Sequence, residues 1–281
     1  MILFKTTYAV QNHLEKLRAQ KLSIGFVPTM GALHNGHISL IKKCKQQCDV
    51  TVCSIFINPV QFNNKNDFKK YPVTIENDIL LLETNETDIL FLPSVNEIYK
   101  EGLEELQQFE LGYLENILEG KYRPGHFQGV CNVVFRLLKI IEPHIIFLGR
   151  KDYQQYLVLK KMMQQFYPAI KIKLVDIERE KNGLAMSSRN MRLSNDAQNK
   201  ATAIYSSLQT IKQNIFDVDL DTLKKQAIEK LLQHGFDKVD YVEIADAETL
   251  LPVKEVSKKI NMIALIAAYI EEVRLIDNLV L

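Results

Sequence analysis

The residues of this chain best suited to chemistry are His34 and His37, set in the run P-T-M-G-A-L-H-N-G-H over positions 28–37. An apolar stretch at 24–27 precedes the run and reads as a buried strand. Pro28 breaks its ladder, and Gly31 and Gly36 let the backbone come close to a ligand. Ile38, Leu40 and Ile41 then resume an apolar pattern that suits a helix. Two histidines at this spacing share a face if the helix begins near them. A helix N-terminus presents unpaired N–H groups and a partial positive charge. Two imidazoles there suit the phosphates of a nucleotide. The plain alternative is a pair of surface histidines on a loop.

Four further clusters carry polar chemistry. Gln61, in N-P-V-Q-F at 58–62, has the donor and acceptor that a hydroxylated carboxylate needs, and equally suits a polar turn. The glycine-rich loop at 120–129 holds Lys121, Arg123 and His126, which can grip an anion, but it lacks the P-loop spacing. Gly149, Arg150, Lys151, Asp152 and Gln155 follow an expected strand at 145–148. There Lys151 is a point charge for phosphate, and Asp152 is a ribose acceptor or a helix N-cap. Met186, Ser187, Ser188 and Arg189 pack two hydroxyls and a guanidinium into one polar segment, which suits a polyphosphate or a serine-rich linker. Asp78 lies near an expected helix start. It reads either as a dipole-favoured acid or as a magnesium contact.

The elements that must position these groups alternate. Helices are expected at 6–20, 37–48, 75–82, 129–141 and 153–166, and strands at 24–27, 50–57, 88–92, 145–148 and 170–177, with a minor strand at 109–111. This is an α/β pattern of βαβ units and a parallel sheet, with ligands beyond the strands' carboxyl ends. After 177 the pattern changes. A polar segment leads to helices at 196–214 and 220–233 and strands at 239–244, 262–270 and 273–276, which reads as a small α+β domain. The expected division is 1–177 and 178–281.

The length of 281 residues suits two domains. Lys plus Arg is 35 against 34 for Asp plus Glu, which argues against a general nucleic-acid or membrane-surface binder. No apolar stretch is long enough to span a bilayer, and the N-terminus lacks the features of a signal peptide, so the cytoplasm is the expected compartment. Cys44, Cys48, Cys53 and Cys131 do not match structural zinc spacings and read as free thiols.

Taken in order, the motifs resemble those of the pantothenate synthetase (pantoate–β-alanine ligase) family. They are P-T-M-G-A-L-H-x-G-H at 28–37, N-P-x-Q-F at 58–62, R-P-G-H-F at 123–127, K-D-x-Q-Q at 151–155, G-L-A-M-S-S-R-N at 183–190 and R-L-I-D-N at 274–278. The resemblance implies a Rossmann-like parallel sheet of the HIGH-motif nucleotidyltransferase type, a smaller C-terminal lid domain, and a homodimer. It implies that ATP and magnesium activate (R)-pantoate as pantoyl adenylate, and that β-alanine then displaces AMP. By the same resemblance, Met30, Gly31, Ala32, Leu33, His34, Asn35, Gly36 and His37 contact ATP. So do Gly149, Arg150, Lys151, Asp152, Glu178, Met186, Ser187, Ser188 and Arg189. His37 is the residue usually given the catalytic label, and His34, Lys151 and Arg189 are placed with it. Gln61 and Gln155 hold pantoate, Arg123 and His126 are further substrate contacts, and Asp78 is the magnesium contact. Whether His37 moves a proton or only stabilises charge is left open.

Some positions depart from the family pattern. Arg150 stands where Lys is commoner, Asn77 where an acid precedes Asp78, and Asn182 where Asp precedes Gly183. Glu178 replaces an apolar residue, and Glu271 and Glu272 replace glycines. Two other readings remain: a plain nucleotidyltransferase acting on a phosphate ester, and a non-catalytic nucleotide-binding module. The two glutamines favour the ligase over the first, and the intact set of cations and serines argues against the second.

Overall fold

The computed structural model describes residues 1–103, 106–257 and 259–281. It comprises two compact units, one formed by Met1–Arg150 with Gln155–Asp176, the other by Lys151–Gln154 with Ile177–Leu281.

In the first unit, a six-stranded, all-parallel sheet is built from β1 (Ile2–Phe4), β2 (Ile24–Thr29), β3 (Val50–Ile55), β4 (Ile89–Phe91), β5 (Ile145–Gly149) and β6 (Lys171–Val175), in the order β1-β4-β3-β2-β5-β6. Strand β3, Val-Thr-Val-Cys-Ser-Ile, is buried at every position, as a central parallel strand covered on both faces must be. Helices α2 (Asn35–Lys45) and α3 (Ile75–Thr84) cover one face, where Leu40, Ile41 and Leu82 meet Val27, Cys53, Leu90 and Phe147. Helix α4 (His126–Ile141) packs on β2 and against α1 (Thr7–Ala19), and α5 (Tyr153–Phe166) connects β5 to β6. The chain leaves β2 towards β3 and later returns to β2's other side as β5. The strand order therefore reverses at β2, and the ends of β2 and β5 flank the crevice where such sheets bind ligands.

The structure departs from the sequence expectations at several points. Pro28 does not end β2. It pairs in register with Ser54 of β3, and the ladder to β5 ends earlier, at Phe26. On that open side Pro28 denies no partner a hydrogen bond. The edge strand β1 is too short and too exposed to show a period. Phe109–Leu111 is not a strand. The Gln128 side-chain amide takes the place of a neighbouring strand by accepting from Phe109 N (3.0 Å) and donating to Phe109 O (2.9 Å). Helix α4 begins at His126, three residues ahead of Gly129, so part of the glycine-rich loop is helical.

In the second unit, β7 (Lys238–Asp246), β8 (Met262–Ile270) and β9 (Val273–Val280) form an antiparallel sheet with β8 central. Helices α7 (Ala203–Asn214) and α8 (Leu220–Gln233) pack on it through Ile204, Leu208, Ile211, Leu223 and Leu231 against Val242, Ile266 and Leu275. The helix expected at 196–214 is two, α6 (Asn195–Ala201) and α7. They part at Thr202, whose hydroxyl donates to Asn199 O (2.7 Å) and offers the backbone an alternative to the helical ladder. Glu271 and Glu272 form the two-residue β8–β9 turn with φ of 48° and 61°. That is the geometry for which a twisted hairpin favours glycine.

Candidate active site

In the first unit the loop after β2 is held before any ligand arrives. Ala32 adopts a left-handed φ of 48°, costly for a residue with a Cβ. The carboxylate of Asp78, in the first turn of α3, offsets this by accepting from Ala32 N (2.9 Å) and Leu33 N (2.8 Å). Thr74 Oγ1 donates to the same carboxylate (3.0 Å), and Asp78 is fully buried. Asp78 therefore anchors the 30–33 loop: its oxygens face two amides and a hydroxyl, away from solvent. Glu76 and Asn77 beside it are exposed.

His34 is the N-cap of α2. Its Nδ1 accepts from Gly36 N (3.1 Å), while His37 Nδ1 accepts from His34 N (3.3 Å), a reciprocal cap. The rings lie 4.1 Å apart, centroid to centroid. A nitrogen that accepts an N–H carries no proton, so each neutral ring bears its hydrogen on Nε2. Two N–H donors are thereby fixed at the end of a helix dipole.

Gln61 lies beside this loop, with its amide nitrogen 3.1 Å from Met30 Sδ. Its Oε1 accepts from Asn58 Nδ2 (3.2 Å), and buried Asn58 accepts in turn from Tyr99 OH (2.8 Å). His126 Nδ1 donates to Gln61 O (2.8 Å). Gly129 lies so close that a Cβ on it would sit 2.7 Å from Val60 O and 2.8 Å from Gln61 Cα. His126 is buried, and its bond to the Gln61 carbonyl ties the start of α4 to that turn. Arg123 pairs with Glu119 at 3.7 Å. Gln155, half-buried, sits in the first turn of α5. Asn58 and Tyr99 were not singled out from the sequence. Only the N-P-x-Q-F motif pointed towards Asn58, and nothing local pointed to Tyr99.

In the second unit, Lys151 Nζ lies 3.2 Å from its neighbour Asp152, and both are partly buried. Lys151, Ser187, Arg189, Tyr205, Arg274 and Asp277 line one pocket, so the unit gathers cations, two hydroxyls and a carboxylate around one space. The segment leading to it is a tight turn. Arg179 bridges Ala185, Met186 N donates to Glu178 O (3.0 Å), and Asn182 Oδ1 accepts from Leu184 N (3.1 Å), as an Asp there would. Gly183 has φ of 94°, and a Cβ there would meet the Tyr205 ring at 2.8 Å. Ser187 then caps the 3-10 turn Ser188–Arg192, with its Oγ accepting from Arg189 N (3.3 Å). Glu178 is exposed, and its carbonyl is already engaged by Met186. Arg150, in the first unit, pairs with Asp176 at 3.0 Å.

The chain has four cysteines, Cys44, Cys48, Cys53 and Cys131. All four are free, burial pushes the Cys44 thiol up to about 12, and it raises Cys53 and Cys131 further. Among the described residues no group of three or more His, Cys, Asp or Glu side chains is placed to hold a metal ion. Among them, too, no helix is long and apolar enough to cross a membrane.

The family profile described as Pantoate-beta-alanine ligase matches residues 2–280. This chain belongs to the pantoate–β-alanine ligase family. As a member of it, the protein is an enzyme that joins pantoate to β-alanine to form pantothenate. It is 45% identical to a pantothenate synthetase of Cytophaga hutchinsonii over 285 aligned residues, covering 100% of this chain and 99% of the relative. It is 41% identical to one of Azobacteroides pseudotrichonymphae over 280, covering 99% of each. Among solved structures, the pantothenate synthetase of Thermus thermophilus superimposes with a TM-score of 0.92 at 36% identity, covering 99% of both chains. The pantoate-beta-alanine ligase of Francisella tularensis, solved with beta-gamma ATP and beta-alanine, gives 0.85 at 38% identity, covering 100% of this chain and 97% of that one.

Proposed function

We propose that the ligation runs through an acyl adenylate. A carboxylate oxygen of pantoate attacks the α-phosphorus of ATP, the bond to the bridging oxygen breaks, and pyrophosphate leaves. The amine of β-alanine then attacks the acyl carbon, the acyl–phosphate bond breaks, AMP leaves, and the nitrogen loses a proton. The observation that carries this reading is the reciprocal histidine cap. Its two Nε2–H groups suit the negative charge that builds on phosphoryl oxygens as the α-phosphorus is attacked. With Nδ1 accepting in the cap, Nε2 is the nitrogen through which His34 and His37 would donate to a phosphoryl oxygen. Gln61 has the donor and acceptor to orient a hydroxy acid, and Gln155 is its counterpart. We assign Lys151, Ser187, Ser188 and Arg189 to ATP phosphates in the second unit, Asp152 to ribose, and Met30 to Leu33 with Gly149 to the nucleotide. The nucleotide held by the Francisella enzyme supports the choice of ATP.

Magnesium enters this reading as an ion carried by the triphosphate, because the residues around Asp78 do not fit a protein-held site. The four free cysteines suit a reducing cytoplasm, where ATP is supplied. We also propose a homodimer, which sedimentation would check.

The test of the adenylate is pantoate-dependent exchange of labelled pyrophosphate into ATP without β-alanine. Exchange, followed by AMP and pantothenate on adding β-alanine, is the expected result. Absence of exchange in an enzyme that still makes pantothenate would overturn it.

A further inference from the structure

The R-L-I-D-N ending of the chain has no role in the reaction as assigned above, yet its last residue reaches one of the groups assigned to ATP. Asn278, on β9 and 2% exposed, donates from Nδ2 to the carbonyl of Lys151 at 2.9 Å, across 127 residues of sequence. We propose that Asn278 is a positioning residue for Lys151, fixing its backbone so that the ammonium group is presented at one place in the cavity. The inference rests on the assignment of Lys151 to a phosphate of ATP.

The physical need is specific. A lysine ammonium rides on a flexible four-carbon stem, so its main chain is the part that neighbours can hold firmly. Lys151 sits in the 3-10 turn Arg150–Asp152, between the end of β5 and the first residue of α5. A shift of about 1 Å in such a group can cost a factor of about 100 in rate.

Asn278 is itself immobilised. It pairs with Leu265 on the central strand, and its own N–H donates to Asp277 Oδ1 (2.8 Å). The Asp277 carboxylate receives both Arg179 Nη1 (2.6 Å) and Nη2 (3.0 Å). The guanidinium lies 3.8 Å over the Tyr205 ring and also donates to Gly183 O (3.1 Å). Burial pushes the Asp277 carboxyl up, and the Arg179 guanidinium beside it opposes that push. The residue that holds Lys151 is therefore fastened to the turn that leads into Ser187.

A merely structural asparagine would affect stability but not ATP in particular. The test is a double-mutant cycle on the full chain, with Asn278→Ala, Lys151→Ala and the pair, measuring kcat and KM for ATP at saturating pantoate and β-alanine, and KM for pantoate at saturating ATP and β-alanine. Asn278→Ala is expected to lower kcat/KM for ATP about tenfold while leaving KM for pantoate unchanged. In the Lys151→Ala background the same change is expected to have an effect of less than about twofold, since the group it positions is gone. Should Asn278→Ala fold poorly, Asn278→Ser, which keeps a hydroxyl donor, carries the same cycle with a smaller loss expected. Additive effects, or a wild-type kcat/KM in the single Asn278 variant, would overturn the positioning role alone. A Lys151→Ala enzyme with unchanged ATP kinetics would overturn the phosphate assignment and the inference with it.

Discussion

His34 and His37 hold each other's turn of helix: each Nδ1 accepts a backbone N–H at the start of α2, and the ring centroids are 4.1 Å apart. On the proposed mechanism, helix capping and catalysis use opposite nitrogens of the same rings. Protonating Nδ1 would turn an acceptor into a donor and break the cap. The two roles separate by substitution. In His37→Asn the amide oxygen stands near Nδ1, so the cap survives without an outward N–H. In His37→Gln the amide nitrogen stands near Nε2. We expect His37→Asn to lose a factor of about 100–1,000 in kcat with its melting temperature little changed, and His37→Gln to keep distinctly more activity. Equal rates for the two variants in a pyrophosphate-release assay would contradict a donor role for Nε2.

Asp78 joins α3 to the loop after β2. In Asp78→Asn the amide group must face a backbone N–H that the carboxylate now serves, and each buried donor left unsatisfied costs about 1–3 kcal/mol. We expect a lowered denaturant midpoint and loss of activity, with the magnesium concentration for half-maximal rate of the residual enzyme unchanged. A variant of normal stability with a shifted magnesium dependence would restore Asp78 as a metal ligand.

Gly129 lets α4 press on the turn that carries Gln61. In Gly129→Ala a Cβ would lie 2.8 Å from Gln61 Cα, so the turn must move. We expect a raised KM for pantoate, with KM for ATP changed much less, read from steady-state kinetics with each substrate varied. Equal changes in both would mean that the helix, not the turn, gives way.

The Glu271–Glu272 turn keeps two residues with a Cβ in left-handed backbone, at about 1–2 kcal/mol each. Glycine at either position relieves that strain, by about 1 kcal/mol in a chemical melt before lost side-chain contacts are counted. Glu271→Gly should gain less or nothing. The Glu271 carboxylate accepts from Ser194 N (2.8 Å) and Ser194 Oγ (2.6 Å) at the start of α6, and glycine loses both bonds. A gain of about 1 kcal/mol or more from Glu271→Gly would refute this account.

Acid should weaken the second unit through the same carboxylate. The side-chain and backbone hydrogen bonds from Ser194 hold the Glu271 carboxyl below its ordinary range, and those from Thr222 do the same for Asp219 at the start of α8. A carboxyl whose folded pKa is depressed stabilises fully above its unfolded value, near pH 4, and loses that contribution as pH falls through the folded one. Melting temperature should therefore fall below about pH 4.5, and Glu271→Gln should show a shallower fall. A profile identical to wild type would remove Glu271 from the explanation.

Much of the fold was legible because its cues are local. β3 announces itself by a β-branched run, and α5 and β8 fall where their patterns place them. The misreadings also have local causes. Pro28 looked like a strand end because the vacancy beside it belongs to β5, more than a hundred residues on. Phe109–Leu111 looked like a strand because a side-chain amide can imitate one.

The sequence by itself determined the chemistry on offer: two imidazoles spaced to cap one helix, glutamines beyond a buried strand, and an ordered set of cations and hydroxyls. Those features depend on neighbours within a turn or two, so spacing alone reveals them. The tertiary structure decided which of these groups hold another residue, and which residue that is. Asp78 serves amides 45 and 46 residues away, and Asn278 a carbonyl 127 away. An acid in a helix's first turn has the same local pattern whether it faces a metal or a loop. Only the packing of distant segments supplies the partner that separates the two.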